Sequence, residues 1–418
     1  MKRVITQAAP IVESERARVL DALRGFALLG ILVSHVPDFS GWNFMTPAEQ
    51  AASGHFDGAA SLVQDFLIRG KFYSLFSLLF GIGFAVQIES AARRGANFAR
   101  HFARRLIVLF LIGLAHALFW YGDILKDYAL IGFGLILLHG SRPRTIAWAA
   151  VLVFALRLVW PSIAAWLTPA LGLAQASSDG ESAFGALTRV FAGADTGAIF
   201  LANLGLVKLK ALQLIYDGTA ISILSMFLLG ALVGKLRLHR GAPAQLLCRL
   251  FWICAPIGVI ANAALAPLHA ATPEFPPTNA WVLENTIYAI AAPAMTVAYA
   301  SGFAWLWSRG FAPMLRWLAP AGQMALTTYI SQTLILAALF YGVGAGLYGR
   351  VGLIEGAMLA LGIFVVQCAI AAVWLRWFQF GPIEWVWRRL TYGASIALLR
   401  HASPNASPIG RNETRLSR

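Results

Sequence analysis

The chain has 418 residues, 59% of them hydrophobic and only 12% charged, with a formal charge of +14 and a pI near 10.2. Soluble domains carry roughly 25% charged residues, and no single soluble core could hold this much apolar surface. The basic balance does not point to nucleic acid, because the Lys and Arg residues flank apolar segments instead of gathering around a readable motif. Cys248, Cys254 and Cys368 lie in or beside apolar runs without metal-ligand spacing, so neither a disulfide framework nor a zinc site is expected.

The apolar windows predict an all-α, polytopic membrane bundle with helices near 19–37, 72–90, 104–121, 127–140, 145–161, 216–235, 248–267, 282–306, 321–342 and 352–376. The first of these follows Lys2, Arg3, Arg16 and Arg18 in the manner of a signal peptide. It carries Asp21 and Arg24, however, and no small-residue cleavage pattern follows, so it reads as a retained helix. Residues 1–18 form a cytoplasmic lead and 19–402 a single transmembrane domain. Within it, 162–215 is an external or interfacial segment with a loop signal at 177–182. Residues 403–418 lack any apolar period and read as a disordered tail.

Charge placement sets the orientation. With the N-terminus inside, the cytoplasmic segments receive Arg93, Arg94, Arg100, Arg104 and Arg105, then Arg142 and Arg144, then Lys235, Arg237 and Arg240, with Arg309, Arg316, Arg388 and Arg389 following. The segment 38–68 offers Asp38, Glu49, Asp57 and Asp65 and no Lys or Arg, while 268–281 carries only Glu274. Both termini are therefore expected in the cytoplasm, and the bilayer, with inner-membrane residence, is the expected partner.

Charges at bilayer depth cost about 2.5–3.5 kcal/mol on insertion scales, so they pair or face a cavity. Asp21 and Arg24, three apart on the first helix, share a face and read as an anchoring ion pair or as part of a ligand site. Arg24 and His35 are eleven steps apart, which leaves only about 20° beyond three turns and separates them by about 16 Å along the axis. His116 and Asp123 are nearly two turns apart; Asp123 could orient the histidine or cap the next helix. Glu284 and Tyr288 sit where they could meet a substrate or an interface. Tyr329 and Gln332 read as interhelical hydrogen-bonding groups or as substrate contacts. The run from Gly381 to Arg389 reads as a Pro-started amphipathic helix whose Arg388 and Arg389 are interfacial anchors or a phosphate site.

Leu20-Asp21-Ala22-Leu23-Arg24-Gly25 resembles the opening of the YeiB-like family, domain of unknown function 418. The resemblance continues in the run from Gly70 to Phe84, in Gly113-Leu114-Ala115-His116 with Tyr121-Gly122-Asp123-Ile124-Leu125, in Gly322 to Tyr329 and in Gly381 to Gly393. The first helix is also similar to that of the acyltransferase-three proteins and of heparan glucosaminide acetyltransferase. In the acyltransferase-three group an Arg, ten residues and a His form a functional motif, which Arg24 and His35 match; YeiB-like proteins often have Asn at the position of His35.

That resemblance implies acyl transfer from a cytoplasmic thioester to a hydroxyl or amine of an envelope glycan or lipid. Acyl-CoA would be a co-substrate and nothing else a tightly held cofactor. Arg24 would neutralise the donor's phosphate or orient its acyl arm, with Asp21 beside it and Arg388 and Arg389 as further candidate donor-binding residues. His35 would act as general base, supported by His116 and Asp123, with Glu284, Tyr288, Tyr329 and Gln332 toward the acceptor. No oxyanion donor is identified. Two rival functions remain: a transporter or flippase whose pathway these charges line, and a non-enzymatic assembly partner.

Overall fold

The computed structural model describes residues 18–53, 56–93, 97–170, 183–271, 277–393 and 396–400. The cytoplasmic lead before residue 18, Arg94, the loop signal at 177–182, Glu274 and the tail at 403–418 lie outside them. The described chain is helical throughout, with a lone bridge between Phe378 and Leu399 and no extended strand among the described residues.

In chain order the helices are α1 Arg18–Ser40, α2 Pro47–Ser53, α3 Asp57–Leu67, α4 Lys71–Arg93, α5 Phe98–Ala117, α6 Leu125–Ile136, α7 Pro143–Ala170, α8 Ala183–Phe191 and α9 Thr196–Tyr216. They continue with α10 Thr219–Lys235, α11 Ala244–Ala271, α12 Asn279–Leu306, α13 Ala312–Leu315, α14 Ala319–Gln323, α15 Ala325–Phe340, α16 Leu353–Trp377 and α17 Pro382–Tyr392.

Among the described residues, seven helical stretches are long and apolar enough to cross a membrane: 18–40, 57–93, 143–168, 196–216, 244–268, 279–323 and 353–377. The difference from ten expected spans has local causes. The predicted span at 127–140 is a helix of 12 residues, which rises only about 18 Å. The one at 104–121 belongs to a helix whose first turns carry Arg100, His101, Arg104 and Arg105. The one at 321–342 breaks at Met324, leaving α15 with 16 residues, and that at 216–235 gives 17 residues in α10. The long stretch at 162–215 contains α8 and the 21-residue α9, the latter apolar enough to span.

α1 is the centre of the bundle. It packs on α4, α14, α15 and α16, and Ala22, Ala27, Leu28, Leu32 and Val36 are fully enclosed. Glycine permits the tightest of these approaches. A Cβ at Gly25 would lie 2.0 Å from the Leu318 carbonyl oxygen, and one at Gly322 would lie 1.8 Å from that of Asp21. Lipid is as apolar as leucine, so helices in a bilayer gain cohesion from such close backbone contact. α17 closes one end: the Trp387 indole donates to the Arg105 carbonyl at 3.0 Å, and the Glu384 carboxylate accepts from Leu326 N at 2.6 Å and Thr327 N at 3.0 Å at the start of α15.

Gly322→Ala is expected to destabilise the protein by about 1–3 kcal/mol, because backbone must move to admit the methyl group. Gly83→Ala, where a Cβ meets nothing within 4 Å, should hold or slightly raise stability. Thermal melting of both variants in one detergent checks the pair of expectations.

Candidate functional site

α5 ends in a tight turn in which Phe119 N and Trp120 N both donate to the His116 carbonyl. The chain then runs through Tyr121, Gly122 and Asp123 into α6. Asp123, 1% exposed, does two things at once. Its Oδ1 accepts from His116 Nδ1 at 2.8 Å, and its Oδ2 accepts from Lys126 N at 3.0 Å. The carboxylate is therefore both the histidine's orienting partner and the cap of α6, so the two alternatives open in the sequence are realised together.

Three further devices fix this turn. Gly113 allows it to lie against α5, since a Cβ there would sit 2.5 Å from Lys126 N and 2.8 Å from Asp123 Oδ2. Lys126 Nζ donates to the Asp123 carbonyl at 2.6 Å and to Asp127 Oδ2 at 3.0 Å. Asn203 of α9, wholly buried, accepts from Tyr121 N at 3.0 Å and donates to Leu118 O at 3.2 Å.

With Nδ1–H held by a carboxylate, His116 keeps its lone pair on Nε2. That atom is buried and makes no hydrogen bond among the described residues. The His116 ring lies 5.3 Å, centroid to centroid, from the ring of Tyr329, whose hydroxyl accepts from Ile124 N at 3.3 Å. His35, 6% exposed, reaches Tyr329 from α1 at 6.0 Å and stands 4.0 Å from the Trp120 indole. Its Nδ1 and Trp120 Nε1 also make no hydrogen bond among the described residues, nor do the amide atoms of the fully buried Gln332. Polar groups in a low-dielectric interior are normally paired, so this concentration of orphans around two imidazoles is unusual.

The structure thus brings together His35, His116, Asp123 and Tyr329, with Gln332 one turn along from Tyr329. Arg24 stays apart, eleven residues down α1. It pairs with Asp21 Oδ1 at 2.7 Å beside α14, while Asp21 Oδ2 is buried without a hydrogen bond among the described residues. Arg388 lies over the Phe380 ring at 4.4 Å and Arg389 over Trp385 at 5.3 Å, so these two arginines stack on aromatic rings of their own segment. Burial pushes the Glu384 carboxyl on the same helix up, and hydrogen bonds from Thr327 and Leu326 work against it. Tyr288 lies elsewhere, against Gly70 and next to Tyr73, with Glu284 half-buried one turn earlier.

Sequence reasoning passed over Trp120, Lys126, Asp127 and Asn203. Lys126 and Asp127 had a visible signal, being charges three and four residues after Asp123 in an apolar stretch; Asn203, one amide in a long apolar run, had a weaker one. Among the described residues no three His, Cys, Asp or Glu side chains are grouped to hold a metal ion.

Residues 233–394 match the family model described as protein of unknown function (DUF418). The chain is similar to the uncharacterized protein YxaH of Bacillus subtilis (strain 168), at 30% identity over 402 residues covering 92% of this chain and 96% of that protein. It is also similar to the uncharacterized protein YeiB of Escherichia coli (strain K12), at 28% identity over 418 residues covering 95% of this chain and 100% of the relative.

Asp123→Asn is expected to remove the tautomeric lock and weaken the α6 cap, lowering stability by about 1–3 kcal/mol. ¹⁵N-histidine NMR should find wild-type His116 protonated at Nδ1 alone and the variant a mixture of tautomers. An unchanged spectrum would count against the arrangement described.

Proposed function

The chain belongs to the YeiB-like DUF418 family, and from that premise we propose that it is a multi-pass inner-membrane acyltransferase working through the His116–Asp123 pair. The observation that carries the reading is a buried carboxylate–imidazole hydrogen bond of 2.8 Å, with the far imidazole nitrogen left as an acceptor and aimed away from its orienting partner. A nucleophile-activating base needs this arrangement, and a helix cap alone does not.

In the proposed reaction His116 Nε2 takes the proton from an acceptor hydroxyl or amine. The freed oxygen or nitrogen attacks the thioester carbonyl of the donor, and the tetrahedral intermediate collapses with cleavage of the carbon–sulfur bond. The imidazolium, stabilised by Asp123, returns its proton to the departing thiolate, so the products are an ester or amide and a thiol. Trp120 Nε1 and the Gln332 amide are the groups able to donate to the oxyanion. His35 becomes a second proton acceptor across Tyr329 instead of the leading base. Arg24, at the other end of α1, would meet a phosphate of acyl-CoA, and the acceptor would be an envelope glycan or lipid.

The proposed topology sets the start of α1 at the cytoplasmic face. This places Arg24 toward the cytoplasm and the dyad toward the opposite face, as transfer across the membrane requires. A transport reading rests on a different observation, the density of buried charge outside the dyad at Lys71, Lys126, Asp127 and Arg157.

Mass spectrometry of envelope lipids and glycans from cells lacking the protein, complemented with wild type, His116→Ala or His35→Ala, separates the readings. Acyl transfer predicts an acyl-sized mass restored by wild type, abolished by His116→Ala and reduced by His35→Ala. Uptake of a solute into proteoliposomes with no chemical change to it, and no acyl difference in cells, would favour transport.

A further inference from the structure

A second buried polar cluster lies apart from the dyad, around Arg157 of α7. This guanidinium is 1% exposed, on a helix whose other side chains are mostly exposed or half-buried, and it lies level with the Gly218 turn that joins α9 to α10. Its Nε donates to Ser222 Oγ on α10 at 2.9 Å. Its Nη1 is buried and makes no hydrogen bond among the described residues, and Arg157 forms no ion pair with a described acid. A guanidinium remains charged under any ordinary condition, so a low-dielectric setting demands an anion for it.

The groups that act on Arg157 electrostatically are Tyr73 of α4, Tyr288 of α12 and Asp217 in the turn between α9 and α10. One oxygen of Asp217 is engaged, its Oδ1 accepting from Thr219 N at 2.8 Å at the start of α10. Burial pushes its carboxyl up, against the Thr219 hydrogen bonds and the charges of Lys210 and Arg157, and it closes no ion pair with Arg157 among the described residues. Tyr73 and Tyr288 are hydrogen-bonded to each other, and Ser222 Oγ, which accepts from Arg157, donates to Gly218 O at 3.4 Å, so the guanidinium is the main donor and these hydroxyls are its polar surroundings.

The position of the cluster says which anion fits. Gly218, with φ of 75°, turns the chain between two apolar helices, and a Cβ there would lie 2.8 Å from Trp160 and 3.2 Å from Arg157 Cδ. Trp160 donates its indole N–H to Ile215 O at 2.8 Å and Tyr216 O at 3.1 Å, closing the end of α9. A turn between two apolar helices, tied down by a tryptophan, marks the depth of lipid headgroups. Beside it Leu156, Val159, Leu212 and Ile215 present exposed apolar surface suited to acyl chains.

We infer that Arg157, with Ser222, Tyr73 and Tyr288, forms a binding site for the phosphate of a membrane phospholipid, with its acyl chains lying along α7 and α9. Trp160, half-buried and beside Arg157 at the Gly218 turn, is the side chain that would turn aside to admit the headgroup. The site is independent of the acyl-transfer reading.

Delipidated protein in a neutral detergent tests this, by thermal melting with short-chain phosphatidylglycerol, with the diacylglycerol of the same chains, and with inorganic phosphate. The expected result is a rise of several degrees with phosphatidylglycerol and none with diacylglycerol. Arg157→Gln should lose the rise, Arg157→Lys should keep part of it, and Ser222→Ala, which retains the charge, should need more lipid for the same shift. Equal shifts with phosphatidylglycerol and diacylglycerol, or an undiminished shift in Arg157→Gln, would overturn the site. A shift with inorganic phosphate as large as that with lipid would overturn its assignment to a phospholipid. Should Arg157→Gln fail to fold, Tyr288→Phe and Ser222→Ala carry the test, and unaltered lipid dependence in both would overturn it.

Discussion

Asp123 is the residue through which the polar interior of this protein is organised. A carboxylate at 1% exposure in an apolar bundle is costly unless its oxygens are satisfied, and here both oxygens and the residue's own carbonyl are used. The imidazole of α5, the backbone start of α6 and the Lys126 ammonium all converge on it. The turn that carries it is bonded in addition to Asn203 of α9, and the amide that follows it donates to Tyr329 of α15. Four helices are thus held in register by one short segment. Its geometry leaves the Nε2 of His116 without a hydrogen bond among the described residues, on a ring beside Tyr329 of α15.

The apolar architecture serves that arrangement. α1 runs through the middle of the bundle because glycines let neighbours come close, its own Gly25 against Leu318 and Gly322 of α14 against the Asp21 carbonyl. One end of the helix is thereby fixed on α14. At the other end the aromatic stack of Phe39 on Trp120, 5.6 Å between centroids, and the Phe39–Phe340 contact set His35 beside the turn after α5. α17 acts at a distance, since Glu384 caps the helix that bears Tyr329 while Trp387 binds the helix that bears His116. The amphipathic end of the chain therefore helps set the spacing between the two sides of the site.

Much of this was legible in the sequence because bilayer physics writes it in long apolar runs and rare charges. The helices at 19–37, 72–90, 145–161, 248–267, 282–306 and 352–376 correspond to α1, α4, α7, α11, α12 and α16, and the family blocks held the residues that meet at the dyad. Asp123 was legible as a choice between cap and orienting partner, and the spacing could not reveal that two oxygens would serve both. The Arg24–His35 alignment was sound as helical geometry, but only tertiary packing could show that Arg24 stays with Asp21 while His35 meets Trp120. Tyr288 was readable as a substrate or interface group and Tyr329 as an interhelical hydrogen-bonding one, yet packing puts Tyr288 against Gly70 and Tyr73 and Tyr329 beside the dyad. Asn203 and Arg157 were obscured because a single polar residue in an apolar helix carries no periodicity that names its partner.

The most direct measurement is thiol release from a soluble acyl thioester by the purified protein in nanodiscs, with and without an extract of envelope acceptors, comparing wild type with His116→Gln. The account predicts acceptor-dependent release by wild type and a fall of about 10²–10⁴-fold in the variant, the range that loss of a positioned general base produces. Acceptor-dependent release that His116→Gln leaves unchanged would contradict the assignment of His116 and Asp123 as the centre of the chemistry.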